Sequence, residues 1–180
     1  VEAAEGLDRA IVAARTAIEA ELARTRIASI RRIPGVYCVA STVAEKLVAV
    51  LERTEIGESR IFEIAIAPEL PVPLAQEDFT ELLGAVAENA TRYAKRIVRL
   101  SGHPDGDRTV LMVEDDGPGM ESGAINTAFL RGARLDESGG QGLGLAIARE
   151  IVEATGGSIG MSRSSLGGLQ VRLSWARDQL

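Results

Sequence analysis

Three short segments hold residues whose types and spacing could do chemistry. In the first, Asn89 is followed by Arg92 and Tyr93. On a helix, at about 100° per residue, Ala85, Asn89, Arg92, Tyr93 and Arg96 share one face. Leu83, Val86, Ala87, Ala90 and Ala94 make a neighbouring face that can bury. An amide with a cation and a phenol one turn on can hold a metal ion and phosphate oxygens. Taken alone, the pattern is also that of a solvated polar helix face.

The second segment is Val110-Leu111-Met112-Val113-Glu114-Asp115-Asp116-Gly117-Pro118-Gly119, an apolar strand running into acidic residues and a Gly-Pro-Gly turn. A buried carboxylate at a strand end can accept a hydrogen bond from an amine such as that of adenine, and glycines let a base approach the backbone. An ordinary acidic turn would read the same way. The third segment, Gly139-Gly140-Gln141-Gly142-Leu143-Gly144-Leu145, opens a helix, where backbone N–H groups make an anion site suited to phosphates. A dinucleotide-binding fingerprint is excluded, because that motif needs a strand immediately before the loop, and here about 20 irregular residues precede it. The P-loop lysine is also missing.

Composition narrows the class. The chain has 180 residues, 46% hydrophobic and 26% charged, as in soluble globular domains. A net charge of −6 and 3% aromatic residues argue against nucleic-acid binding and anionic lipid. No apolar run approaches the roughly 18 residues needed to cross a bilayer. Cys38 is the single cysteine, and no Cys/His cluster has zinc-ligand spacing, so a cytosolic compartment is expected. With Val1 first and no signal-peptide pattern, the chain reads as a piece of something longer. Of 19 glycines, 15 fall between Gly102 and Gly168, which marks that stretch as the place to look for a ligand.

The elements that must position these segments follow from periodicity. Residues 2–30 read as one long helix in which Leu7, Ile11, Ala14 and Ile18 follow the 4-3-4 spacing of a helix–helix seam. Pro34 and Gly35 end it, and a domain boundary is placed between 33 and 34. Next come a strand at 36–39, a helix capped by Ser41 or Thr42 and running to about Arg53, and a strand at 60–67. Asp78 is expected to cap a helix to about Lys95. Strands at 96–100 and 108–113 are joined by a loop, Ser101-Gly102-His103-Pro104-Asp105-Gly106. A helix at 142–154 and strands at 158–162 and 169–175, around a turn at 166–168, complete the chain. The fold class is α/β: a two-layer sandwich with a mixed sheet and helices on one face.

The order of the segments is more specific than any one of them. An Asn helix, then Asp-x-Gly-x-Gly, then an irregular stretch, then Gly-x-Gly-x-Gly on a helix resembles the Bergerat (GHKL) ATP-binding fold. Within it the details resemble bacterial sensor histidine kinases. Glu88-Asn89-Ala90 with Arg92-Tyr93 is similar to their N box, residues 113–119 to their G1 box and residues 140–145 to their G2 box. Phe129-Leu130-Arg131-Gly132-Ala133-Arg134 is similar to their F-box region, with the arginine spacing of the PhoQ type.

The resemblance implies roles residue by residue. Asn89 would ligate Mg2+, and Arg92 and Tyr93 would contact the phosphates of ATP. Asp115 would read the adenine amine, with Gly117 and Gly119 shaping its pocket. Gly140, Gln141, Gly142, Leu143 and Gly144 would wrap the phosphates. Residues 120–139 would form a lid anchored by Phe129, with Arg131 or Arg134 stabilising charge on the transferred phosphoryl group. Residues 1–33 would be the second helix of a dimerisation and phosphotransfer hairpin, and 34–180 the catalytic domain. The phosphoacceptor His would lie on an upstream helix of the same or a partner subunit, and the next acceptor would be a response-regulator receiver domain. The whole would be a homodimeric, membrane-bound sensor with this part in the cytoplasm. His103, the one histidine, is read as an ordinary turn residue.

Two departures stand out. The second Asn usual four residues before the first is Ala85 here, and no basic residue lies between Arg134 and the glycine loop. Ala85 keeps open an alternative in which the chain is a nucleotide-binding scaffold without transfer. It also argues against an ATPase of the Hsp90 or topoisomerase kind, which needs a general-base Glu at that position.

Overall fold

The computed structural model describes Ile30 and residues 33–120 and 144–177. The helix expected over 2–30 falls on residues 1–29, outside that set, apart from Ile30, which is buried in the core. Two sheets are present among the described residues. A small one pairs β1 (Cys38–Val39) antiparallel with β3 (Pro71–Val72). The main one has five strands in the order β2-β4-β5-β7-β6. These are β2 (Ile61–Ile66), β4 (Ile97–Asp105), β5 (Arg108–Asp115), β6 (Ser158–Arg163) and β7 (Leu169–Ala176). β2 and β4 run parallel and the remaining pairs antiparallel, so the sheet is mixed.

Strand alternation sorts the two faces. Leu111 lies opposite Leu173 and Val113 opposite Val171, and all four are buried with Val98, Leu100 and Trp175. Onto this face pack α1 (Ala40–Leu51), α2 (Gln76–Tyr93) and α3 (Gly144–Ala154). α2 contributes Phe79, Leu82, Leu83 and Val86, all fully buried, and touches both other helices. It is also the crossover that parallel β2 and β4 require. The other face carries polar and charged side chains, among them the Arg99–Glu63 pair at 2.7 Å. This is the expected two-layer sandwich.

Three local expectations are corrected. α1 begins at Ala40, so Ser41 and Thr42 lie inside it and cap nothing. β1 runs straight into the helix, and the Ala40 N–H is satisfied by the Leu70 carbonyl at 2.9 Å. α2 likewise begins at Gln76, with Asp78 in its first turn as a favourable charge rather than as the cap. It stops at Tyr93, so Arg96 lies beyond the helix face it was assigned to.

The third correction concerns Ser101 to Asp105, which are strand and not loop. The hairpin turns tightly at Gly106-Asp107, where Gly106 takes φ +57°. His103 is therefore a strand residue opposite Val110. Pro104 is tolerated because β2 reaches only to Gly102, leaving that edge of β4 with no ladder to complete.

Candidate functional site

Three consecutive carboxylates, Glu114, Asp115 and Asp116, stand at the end of β5 and just beyond it, and each has its own set of donors. Asp115 is buried on the helix side of the sheet. Its Oδ1 accepts the Gly117 N–H at 2.8 Å and the Leu169 N–H at 3.3 Å. Burial pushes its pKa up, against those two hydrogen bonds, and the neighbouring Asp116 charge adds to the rise. Among the described residues both bonds go to Oδ1, which leaves Oδ2 for a donor in the adjoining cleft.

Asp116 turns to the end of α2. Its Oδ1 accepts the N–H groups of Lys95, Arg96 and Ile97 at 2.8, 2.9 and 3.1 Å. Partial burial pushes its pKa up, but these bonds outweigh it and hold the carboxyl below its ordinary value. The α2–β4 connection is thereby pinned to the strand that carries Asp115.

The cleft beside Asp115 has a volume of about 170 Å3 and is lined by Asn89, Tyr93, Asp115, Pro118, Gly119, Met120 and Leu169. Asn89 and Tyr93 stand one turn apart on α2 and face it together, as their helical spacing requires. Gly117 has to be glycine, since a Cβ would collide with the Tyr93 carbonyl and approach Asp115 Oδ1. Gly168 is equally constrained, because a Cβ there would collide with the Asp115 carboxylate.

The structure thus brings together Asn89, Tyr93, Asp115, Gly117 and Gly119. Arg92 is exposed and does not line the cleft. Gly144 is the first described residue of α3, and a Cβ on it would lie 3.3 Å from the Ala85 carbonyl oxygen, so this turn of α3 packs on the position where the resemblance places a second Asn. Phe129, Arg131, Arg134, Gly140, Gln141, Gly142 and Leu143 lie outside the described residues. Leu169 and Pro118 were not foreseen in the wall, nor Glu114 and Asp116 as anchors. For Leu169 the sequence carried no signal beyond the glycines before it.

A carboxylate with an open oxygen in the lining of a partly apolar cleft suits a flat heterocycle bearing an amine. The Asn89 amide in the same lining suits a hydrated cation. Among the described residues no group of three His, Cys, Asp or Glu could hold a metal. One amide still fits Mg2+, which keeps several waters and takes phosphate oxygens as further ligands.

Fold and site together define an ATP-binding α/β sandwich of the GHKL class. A family described as histidine kinase-, DNA gyrase B-, and HSP90-like ATPase matches residues 75–179, and the chain belongs to it. The virulence sensor histidine kinase PhoQ of Salmonella typhimurium (strain LT2) is 36% identical over 135 residues, covering 74% of this chain and 28% of the relative. The chain thus spans little more than a quarter of the curated relatives' length. The mycobacterial sensor histidine kinase MprB superposes with a TM-score of 0.70 at 20% identity, covering 80% of this chain and 97% of that one. Full-length ShkA in complex with AMPPNP superposes with a TM-score of 0.67 at 23% identity, over 87% of this chain and 34% of that one. The chain carries a histidine kinase-type ATP-binding catalytic domain.

Proposed function

We propose that this domain binds Mg·ATP with the adenine amine on Asp115 Oδ2 and passes the γ-phosphoryl group to a histidine outside residues 34–180. The observation that carries the reading is Asp115 itself, buried at the end of β5 with Oδ1 occupied and lining a cleft with Asn89 and Tyr93. Similarity to PhoQ and the AMPPNP bound to ShkA support it.

In this mechanism Asp115 and the wall residues Leu169 and Pro118 orient the base, and Gly117 and Gly119 let it approach the backbone. Asn89 would hold Mg2+, which when bound neutralises charge on the phosphate oxygens. Tyr93 contacts the phosphates, while Arg92 would reach them only by swinging in from solvent. Gly144 lies beside α2, and the N–H groups of the glycine-rich segment leading into it would favour anions. Transfer breaks the bond between the γ-phosphorus and the bridging oxygen of ADP and forms a P–N bond to the imidazole, whose other nitrogen then releases its proton. Arg131 or Arg134 stabilises the charge on the phosphoryl group in flight.

The acceptor histidine lies on an upstream phosphotransfer helix, of the same or a partner subunit in a homodimer. A receiver-domain aspartate takes the group next, at the cytoplasmic side of a sensor. Among the described residues no helix is long and apolar enough to cross a membrane.

Mixing the chain with radiolabelled ATP, Mg2+ and a separately made phosphotransfer hairpin tests the proposal. The hairpin is expected to gain acid-labile label and the chain alone to gain none. Label on His103, or none on the hairpin while ATP binds, would overturn the transfer step.

A further inference from the structure

Glu114, the carboxylate immediately before Asp115, is buried and engaged with a single short turn. Its Oε1 accepts hydrogen bonds from Ser164 Oγ at 3.1 Å, Ser165 N–H at 3.2 Å and Ser165 Oγ at 3.1 Å. Those residues begin the turn that joins β6 to β7. The turn is closed internally: the Leu166 N–H donates to Ser164 Oγ at 2.9 Å, and the Ser164 N–H donates to the Gly168 carbonyl at 2.9 Å. Its far end meets Asp115. The Gly168 N–H donates to the Asp115 carbonyl at 3.1 Å, and the Leu169 N–H donates to Asp115 Oδ1 at 3.3 Å.

One turn is therefore clamped at its start by Glu114 and at its end by Asp115, whose side chains leave β5 on opposite faces. The terminal torsion of an aspartate is soft, so the direction of Oδ2 depends on what holds Oδ1. Two donors hold it. Gly117 N–H comes from the same loop, only two residues on, and Leu169 N–H comes from the turn. If the turn drifts, the second donor moves away, and with it the wall residue Leu169.

We propose that Glu114 is a positioning residue for base recognition: by clamping residues 164–168 it holds Leu169 against Asp115 and so aims Oδ2 at the exocyclic amine of the nucleotide. The inference rests on the reading of Asp115 given above. A carboxylate suits the task because one charged oxygen can take three donors, and charge-assisted bonds are the stronger kind. Serines suit the turn because their hydroxyls can be aimed at that oxygen.

The test measures Mg·ATP and Mg·inosine triphosphate affinities for the whole chain and for Glu114→Ala, Glu114→Gln and Ser165→Ala, with a urea unfolding midpoint for each. Inosine triphosphate carries a carbonyl where ATP carries the amine. Glu114→Ala is expected to lower the ATP-over-inosine preference by about tenfold, and the inosine affinity to change by less than about twofold. Ser165→Ala, an exposed change that removes one donor of three, is expected to lower the preference by about two- to threefold. Glu114→Gln keeps Oε1 and should restore most of it.

An equal fall in both affinities, or an unchanged preference in Ser165→Ala if Glu114→Ala fails to fold, would overturn the positioning role. A wild-type chain that binds both nucleotides equally overturns the reading of Asp115 itself.

Discussion

Replacing Asp115 by Asn separates what this side chain does for binding from what it does for stability, because the two effects have opposite signs. The amide keeps an oxygen at Oδ1, so the Gly117 and Leu169 N–H groups at 2.8 and 3.3 Å retain their acceptor. The change falls on Oδ2, which becomes an NH2 group. Toward the cleft a charged acceptor turns into a donor that faces the donor amine of adenine. A hydrogen bond to a charged group contributes about 1.5–3 kcal/mol, and opposed donors add to the loss. ATP affinity should then fall by about 2–4 kcal/mol, or roughly thirty- to a thousandfold.

Stability moves the other way. The folded-state pKa of Asp115 is raised, chiefly by burial. Such a group contributes stability that is full below its unfolded value and is lost as pH rises through the folded value. Above the ordinary value, burial of this carboxyl therefore works against folding. The neutral amide removes that penalty, so the urea midpoint of the apo chain should rise or hold at pH 7. Calorimetric titration with Mg·ATP and with Mg·inosine triphosphate, beside urea unfolding, reads both effects. Inosine triphosphate, whose carbonyl accepts from the new NH2, should lose far less than ATP. Unchanged ATP affinity, or equal loss of both nucleotides together with a lower midpoint, would refute the reasoning.

Asp116→Asn should lower stability at pH 7 by about 1 kcal/mol, less than a buried bond to a charged group contributes, because two of the three donors belong to residues exposed to water. Since its folded pKa is lowered, its stabilisation is present above the ordinary value of 3.8 and lost as pH falls through the lower folded value. Urea midpoints of the two proteins should converge in acid, and a gap that persists there would count against the three-donor account. Gly168→Ala pushes a methyl group onto the Asp115 carboxylate, so a destabilisation of about 2–3 kcal/mol and loss of ATP binding are expected in unfolding and titration experiments. Cys38, whose thiol burial raises to about 12 against one backbone hydrogen bond, should react with a maleimide at pH 8 only as fast as the fold opens; brisk labelling of the native chain would contradict its burial.

How far the sequence revealed the site depended on whether a contact is local. Asn89 and Tyr93 face one cleft because helical spacing says so, and Asp115 sits at the end of an apolar strand that alternation puts in the sheet. Glu114 and Asp116 look like Asp115 in the sequence, and only the partners that fold brings them tell the three apart: a turn 50 residues on, and a loop 19 to 21 residues back. The same limit explains the caps. Ser41 was a good local candidate, but a carbonyl from Leu70 had already satisfied the helix entry. It also explains Ser101 to Asp105, whose turn-like residues are carried into a strand by pairing with β5.

Ala85 shows how a lost polar group can be absorbed by packing. The family resemblance places an Asn there, and a missing amide next to Asn89 reads as a missing ligand. In the structure that stretch of α2 is where α3 begins, with Gly144 so near the Ala85 backbone that a Cβ would stand 3.3 Å from its carbonyl oxygen and 3.9 Å from its side chain. Two small residues close together let the first described turn of α3 pack on the helix that carries Asn89. Position 85 therefore seats Gly144 against α2, and Asn89 is left as the amide of α2 that lines the cleft. For the Mg2+ proposed above, waters and phosphate oxygens would complete the shell around Asn89 among the described residues, an arrangement that this small, reluctantly dehydrated ion favours.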